Sequence, residues 1–328
     1  MTSLQGVRPP NLAPKREGRR KAAEIVLFVG PALVLFFGFV IYPMLKAVQI
    51  SGFRWKGYGP MENFVAFENY LSVLKNPVFQ GALTNNLVIM VASIAIQLPL
   101  GLIVALLLNR KMRGRNLMRT IVFIPYVLAE VIAGVVWYQM LQPKRGVVDT
   151  LLGFVGLSGP TQGWLGDPKF ALFTVMVVLT WKYLGLAIIL FLAGLQTVPD
   201  ELHEAAQIDG ASWLKTQFKI TIPLLGPTMR MWAFLSMIGS LQLFDMVWIL
   251  TKGGPVDSTM TMAIFLVVEG TKRSNYGIAA AASVILFLIA LVFSLVYQRF
   301  VLNRDNQADS ARAARKAAKA AAQKAVAK

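Results

Sequence analysis

The sequence predicts an all-α polytopic membrane protein with six transmembrane helices. Three observations carry this. The 328 residues are 56% hydrophobic and 15% charged, with a mean hydropathy of +0.58, far from a soluble globular average. The apolar residues gather into six segments of about the 20 residues that a spanning helix needs: about 25–45, 82–108, 118–141, 170–195, 222–250 and 277–300. The charge is sorted along the chain. Most of the net +17 lies in the two ends and one short loop, which fits membrane orientation rather than a nucleic-acid partner.

Residues 1–24 are basic (Arg8, Lys15, Arg16, Arg19, Arg20, Lys21) and hold Pro9, Pro10 and Pro14, a composition that predicts an unstructured tail. The first span follows without a charge from Ile25 to Tyr42. No small-x-small cleavage site comes after it, so it reads as a retained helix rather than a signal peptide. Residues 46–80 are a mixed-charge loop with aromatics suited to the interface, such as Trp55, Phe64 and Tyr70. After the second span comes a stretch with Arg110, Lys111, Arg113, Arg115 and Arg119 and no acid. Short loops dense in Lys and Arg stay on the cytoplasmic side. The third span leads to a Gly- and Pro-rich loop over 143–169, then the fourth span. The fifth, 222–250, is long enough to predict a tilted helix. A mixed loop over 251–276, the sixth span and an Ala/Lys-rich solvated tail over 303–328 complete the chain. The membrane core is thus 25–302. Six crossings put both termini, the basic loop and residues 198–221 on the cytoplasmic side of the membrane.

The segment 198–221 is the longest polar interval deep inside the apolar chain. Asp200 is expected to cap a helix, with Glu201 and Glu204 in its first turns where the dipole favours acids. Asp209-Gly210 reads as a stop, because Gly accepts the left-handed conformation. A second short helix over 211–218 fits before Pro223 opens the fifth span. The result is an elbow hinged at Gly210, outside the bilayer.

The spacing Glu204-Ala205-Ala206, three residues, Gly210, nine residues, Ile220, one residue, Ile222, Pro223 resembles the E-A-A-x3-G-x9-I-x-L-P loop in the permease subunits of binding-protein-dependent ABC importers. Ile222 stands where Leu is usual. The resemblance implies a type I ABC importer permease fold. It also implies an ATPase-coupling loop formed by Glu204, Ala205, Ala206, Asp209, Gly210, Ile220 and Pro223. A second stretch, Leu250-Thr251-Lys252-Gly253-Gly254-Pro255 after Phe244-Asp245, is similar to the L-T-G-G-G-P signature of sugar-importer permeases of the maltose and glycerol 3-phosphate type, with Lys252 for the first Gly. Implied partners are two ABC ATPase subunits, a second homologous permease subunit and an extracytoplasmic solute-binding protein, besides membrane lipid. ATP would be used by the partner subunits, and this chain would bind no cofactor. The alternatives are an ABC permease for a polyamine or phosphonate, or an ion-coupled secondary transporter.

Charges inside spans are costly and default to a functional reading. Glu130 and Lys182 lie midway along the third and fourth spans. They are expected to neutralise each other or to line the substrate path. Asn85, Asn86, Gln242 and Asp245 lie toward the outer ends of their spans and are candidates for a polar outer cavity or for interhelical hydrogen bonds. Trp137, Tyr138, Trp181, Tyr183, Phe244 and Trp248 are candidates to stack on sugar rings. No Gly-Lys dipeptide occurs, so there is no Walker A loop. With His203 the only histidine and no cysteine, a His/Cys metal site is excluded and no enzyme chemistry is assembled.

Overall fold

The computed structural model describes residues 15–110 and 112–302, with side chains from Glu24 onward. The expected C-terminal tail, 303–328, lies outside the described residues, as does 1–14. Those described are helical apart from turns and one isolated bridge between Phe53 and Phe64.

Four of the expected spans are continuous helices: Glu24–Ser51, Pro77–Leu108, Pro168–Leu195 and Tyr276–Leu302. The first begins as Lys15–Phe36, inside the stretch expected to be unstructured. Pro14 is the last proline of the tail, and good helix formers follow it. The second and fourth start alike. Asn76 accepts the Val78 N–H at 2.9 Å before Pro77, and Asp167 accepts the Lys169 N–H at 2.9 Å before Pro168. A short polar cap followed by Pro at the first helical position is a strong start signal.

The other two spans depart from expectation. The third is two helices, Arg115–Val127 and Glu130–Met140, bent by 96°. Leu128 and Ala129 between them are extended, with ψ of 138° and 141°. Pro125 lies inside the first of these helices and weakens it just upstream. The fifth is not one tilted helix. It runs Gly226–Leu241, breaks over Gln242–Phe244, and resumes as Asp245–Leu250.

Three supposed loops also carry helices: Glu68–Lys75, Val147–Phe154 and Met262–Val267. The third of these matters most. Met262, Ile264 and Phe265 are buried, and the helix continues as a π turn over Val268–Lys272. Glu269 is buried there and is held by Arg273 at 2.5 Å and by the Asn275 amide at 3.1 Å.

Packing follows the breaks. One core joins the second, fourth, fifth and sixth spans to Met262–Val267 around Phe79, Val175, Met246 and Phe265. A second core, toward the other end, joins the second, fourth and fifth spans around Ala105, Ile188, Phe191 and Trp232. Small residues allow the closest approaches. A Cβ on Gly101 would come within 2.8 Å of the Ala187 methyl. The first helix touches the bundle with its Tyr42–Ser51 half, which lies along the sixth span. Its most apolar window is 0% buried, against 50% for the fourth span.

Candidate functional site

Backbone groups freed inside an apolar bundle need partners, since each unsatisfied one costs several kcal/mol. The third span's break frees carbonyls around residues 126–128. Lys182, 2% exposed on the fourth span, donates to the Tyr126 carbonyl at 3.2 Å and to that of Leu128. Its ammonium lies 3.8 Å from Glu130, the first residue beyond the break. Glu130 also accepts the Tyr183 hydroxyl at 3.1 Å. The two charges singled out in the sequence therefore meet, and the lysine spends its donors on the break itself.

The fifth span's break is treated the same way from the second span. The fully buried Asn86 amide donates to Ser240 O at 2.6 Å and Leu241 O at 3.4 Å, while its oxygen accepts the Met262 N–H at 2.9 Å. Thr261 donates to Leu243 O at 2.9 Å. Asn85 donates to Ser258 O and Met260 O at 3.1 and 2.9 Å. Gln242 is exposed at the break, and Asp245 is exposed in the first turn of the next helix. These four do not assemble one polar outer cavity: the two asparagines are engaged by backbone.

A cavity of about 250 Å³ does lie between the second, fourth and fifth spans, reaching the fifth span's break at Leu243. Its wall is apolar except for Ser93, Gln97, Tyr183, Ser236, Ser240 and the indole of Trp232, whose N–H is buried without an acceptor among the described residues. Ser93 and Gln97 bracket a π turn, Ser93–Gln97, a local widening common at functional positions. Of the path candidates read from sequence only the aromatic Tyr183 is on this wall. Trp137 packs edge-on against Trp181, and Phe244 stacks on Trp248 at 5.3 Å. The missed lining residues left a signal. Ser93/Gln97 and Ser236/Ser240 are polar pairs four apart in apolar helices, hence on one face.

The elbow is built as two helices. Asp200–Ile208 starts after Pro199, so Asp200 is the first helical residue and not the cap. Gly210 has φ +68°. The N–H of Ala211 reaches Ala206 O at 2.9 Å and that of Gly210 reaches Gln207 O at 3.0 Å, the bond pair of a Schellman stop. Ser212 then caps Trp213–Thr216, which continues through a π turn, Gln217–Thr221, into Ile222–Leu224. This replaces the expected helix over 211–218. Pro223 lies inside the continuation rather than opening the fifth span. The Ile222 N–H bonds back to Gln217 O across the π turn, and Pro223 has no N–H to place. Ala206 is buried, Ile220 half-buried, and Glu204, Ala205, Asp209 and Pro223 exposed. Ile208, Leu214 and Phe218 present an exposed apolar surface. Arg110, from the basic loop, stacks over the Trp213 ring at 4.8 Å.

Residues 97–304 match the family model described as the binding-protein-dependent transport system inner membrane component. The chain is 34% identical to the trehalose/maltose transport system permease MalF of Thermococcus litoralis over 85% of this chain and 93% of the relative. It is 34% identical to the lactose permease LacF of Rhizobium radiobacter over 86% and 94%. In fold it is similar to a chain of a bacterial ABC transporter importing alginate, with TM-score 0.76 and 23% identity, covering 88% of this chain and all of that one.

Proposed function

Since the chain belongs to the family of binding-protein-dependent transport system inner membrane components, we propose that it carries a sugar or oligosaccharide across the membrane by alternating access, as the permease subunit of an ATP-driven importer. The observation that carries the cargo class is the cavity. Hydroxyl, amide and indole groups are set in an apolar wall halfway along three helices, and a sugar offers hydroxyls at its rim and an apolar ring face. Such a mixture is typical of small-molecule sites. The names of the trehalose/maltose and lactose relatives favour the same class.

Energy enters from partner subunits. The elbow, with its exposed apolar surface and Glu204, docks on one of the two ABC ATPases that use the ATP. A second homologous permease pairs with this chain, and an extracytoplasmic solute-binding protein delivers the cargo. Both termini and the elbow then face the cytoplasm, on the side marked by the basic loop. The elbow bends at Gly210, and its second helix leads through Leu224 into the fifth span. Displacing it moves the helix that carries Trp232, Ser236 and Ser240 along the cavity.

The test uses the whole transporter in proteoliposomes with its binding protein. Glu204→Lys and Gly210→Asp are expected to lower uptake and ATPase association at least tenfold, about 1.4 kcal/mol, with membrane insertion intact. Normal uptake in both variants overturns the coupling role. Uptake that survives ATP depletion but collapses with the proton gradient overturns the importer reading itself.

A further inference from the structure

A second cavity, of about 780 Å³, lies between the Arg115–Val127 half of the third span and the adjoining end of the fourth. It is separate from the cargo cavity: the two share no lining residue. The two helices touch at Gly185, part of its lining. A Cβ there would come within 2.8 Å of the Val122 carbonyl. From that contact the lining runs on to Arg119 on the third span and to Gln196 at the end of the fourth. The groove therefore runs the eleven residues from Gly185 to Gln196, about 16 Å at the helical rise. Its walls are largely apolar and include Phe123, Val127, Ile189 and Leu192.

The mouth has the opposite character. Arg119 and Gln196 stand there, beside a stretch that adds Arg110, Arg113 and Arg115 without an acid. The Arg119 guanidinium is nearly unused. Its one hydrogen bond among the described residues is long, 3.4 Å from Nη2 to the Leu108 carbonyl, and its Nε has no acceptor.

We propose that this groove is a binding site for one anionic phospholipid, its phosphate at Arg119 and one acyl chain lying between the two helices. Charge decides the occupant. A basic pocket between spanning helices at the cytoplasmic interface attracts anionic headgroups, and guanidinium donors match phosphate oxygens. The ammonium of a zwitterionic lipid would meet the same cations and be repelled. The depth also fits, since the basic mouth lies at the end of both helices and the apolar groove extends inward from it. The site rests on the proposed topology, which puts the basic loop in the cytoplasm, and not on which cargo is carried.

The intact transporter, purified in nanodiscs of phosphatidylglycerol and phosphatidylethanolamine, is released into mild detergent and weighed by native mass spectrometry. One phosphatidylglycerol per chain is expected to stay bound in preference to phosphatidylethanolamine, and inorganic phosphate is expected not to displace it. Arg119→Gln weakens retention about fivefold, the worth of one basic residue near an anionic surface. Ala193→Phe fills the groove without touching a charge and abolishes retention, while thermal unfolding in the same nanodiscs reports that the fold persists. Two results overturn the site: equal retention of both lipids, or retention unchanged in Ala193→Phe. A third is photo-crosslinking of a benzophenone side chain placed at Ile189 to the paired permease rather than to lipid, because it would put that permease where the lipid should lie.

Discussion

The fourth span and the third are neighbours of similar composition and opposite construction. The fourth runs unbroken from Pro168 to Leu195. The third turns through 96° at Leu128 and Ala129. Both carry one charge in mid-span, but only the broken helix has freed carbonyls, and the unbroken one supplies the Lys182 that binds them. The second and fifth spans repeat the arrangement with Asn86 and the carbonyls of Ser240 and Leu241. A continuous helix meets its own backbone needs and has polar side chains to lend. A broken helix borrows them. The cavity between the second, fourth and fifth spans is lined by Tyr183, which bonds Glu130, and by Ser240, whose carbonyl Asn86 holds.

The largest expected effect comes from removing the lender at the third span. Lys182→Met leaves Glu130 without its cation and two carbonyls without a donor. A loss of about 3–5 kcal/mol follows, read as a fall in thermal unfolding temperature in detergent. Adding Glu130→Gln to it should recover part of that loss. No recovery would mean that the carbonyl bonds, and not the charge pair, carry the cost. Asn86→Ala comes next, at about 2–3 kcal/mol for the bonds lost and the buried groups left unpaired. A cost as small as that of an exposed substitution would break the parallel between the two breaks. The smallest effect is a control beyond the fifth span. Lys252 has φ +54° where the sugar-permease signature has Gly. Lys252→Gly should raise stability by about 0.5 kcal/mol, the left-handed strain relieved less the added chain entropy of Gly.

Apolar runs marked where the four continuous helices lie, within two residues for Pro168–Leu195 and Tyr276–Leu302, while the first helix starts ten residues earlier, at Lys15. Hydropathy was blind to both breaks, since it counts residues and not direction. Pro125 was a visible warning for the third span. The fifth has no proline at its break and depends on Asn86, 154 residues from Ser240 in the chain. No local pattern encodes such a partner. The anomalous charges Glu130 and Lys182 were legible as needing each other, but the carbonyls they serve exist only after the helix has turned. At the elbow, the motif spacing marked Gly210 correctly as a stop. The same reading placed the cap one residue late and ended the second helix too soon, because a π turn leaves no compositional trace. Met262–Val267 was hidden by its brevity and by the polar residues that flank it.

The turn at Leu128 has a consequence for how position along this chain maps onto depth. The helix Arg115–Val127 has 13 residues and advances about 20 Å, short of the roughly 30 Å of hydrocarbon. The 11 residues that follow run nearly crosswise to it. Reporter groups at Glu130 and Met140 should therefore register almost the same level along that first axis, although a ruler laid on the sequence would separate them by half a bilayer.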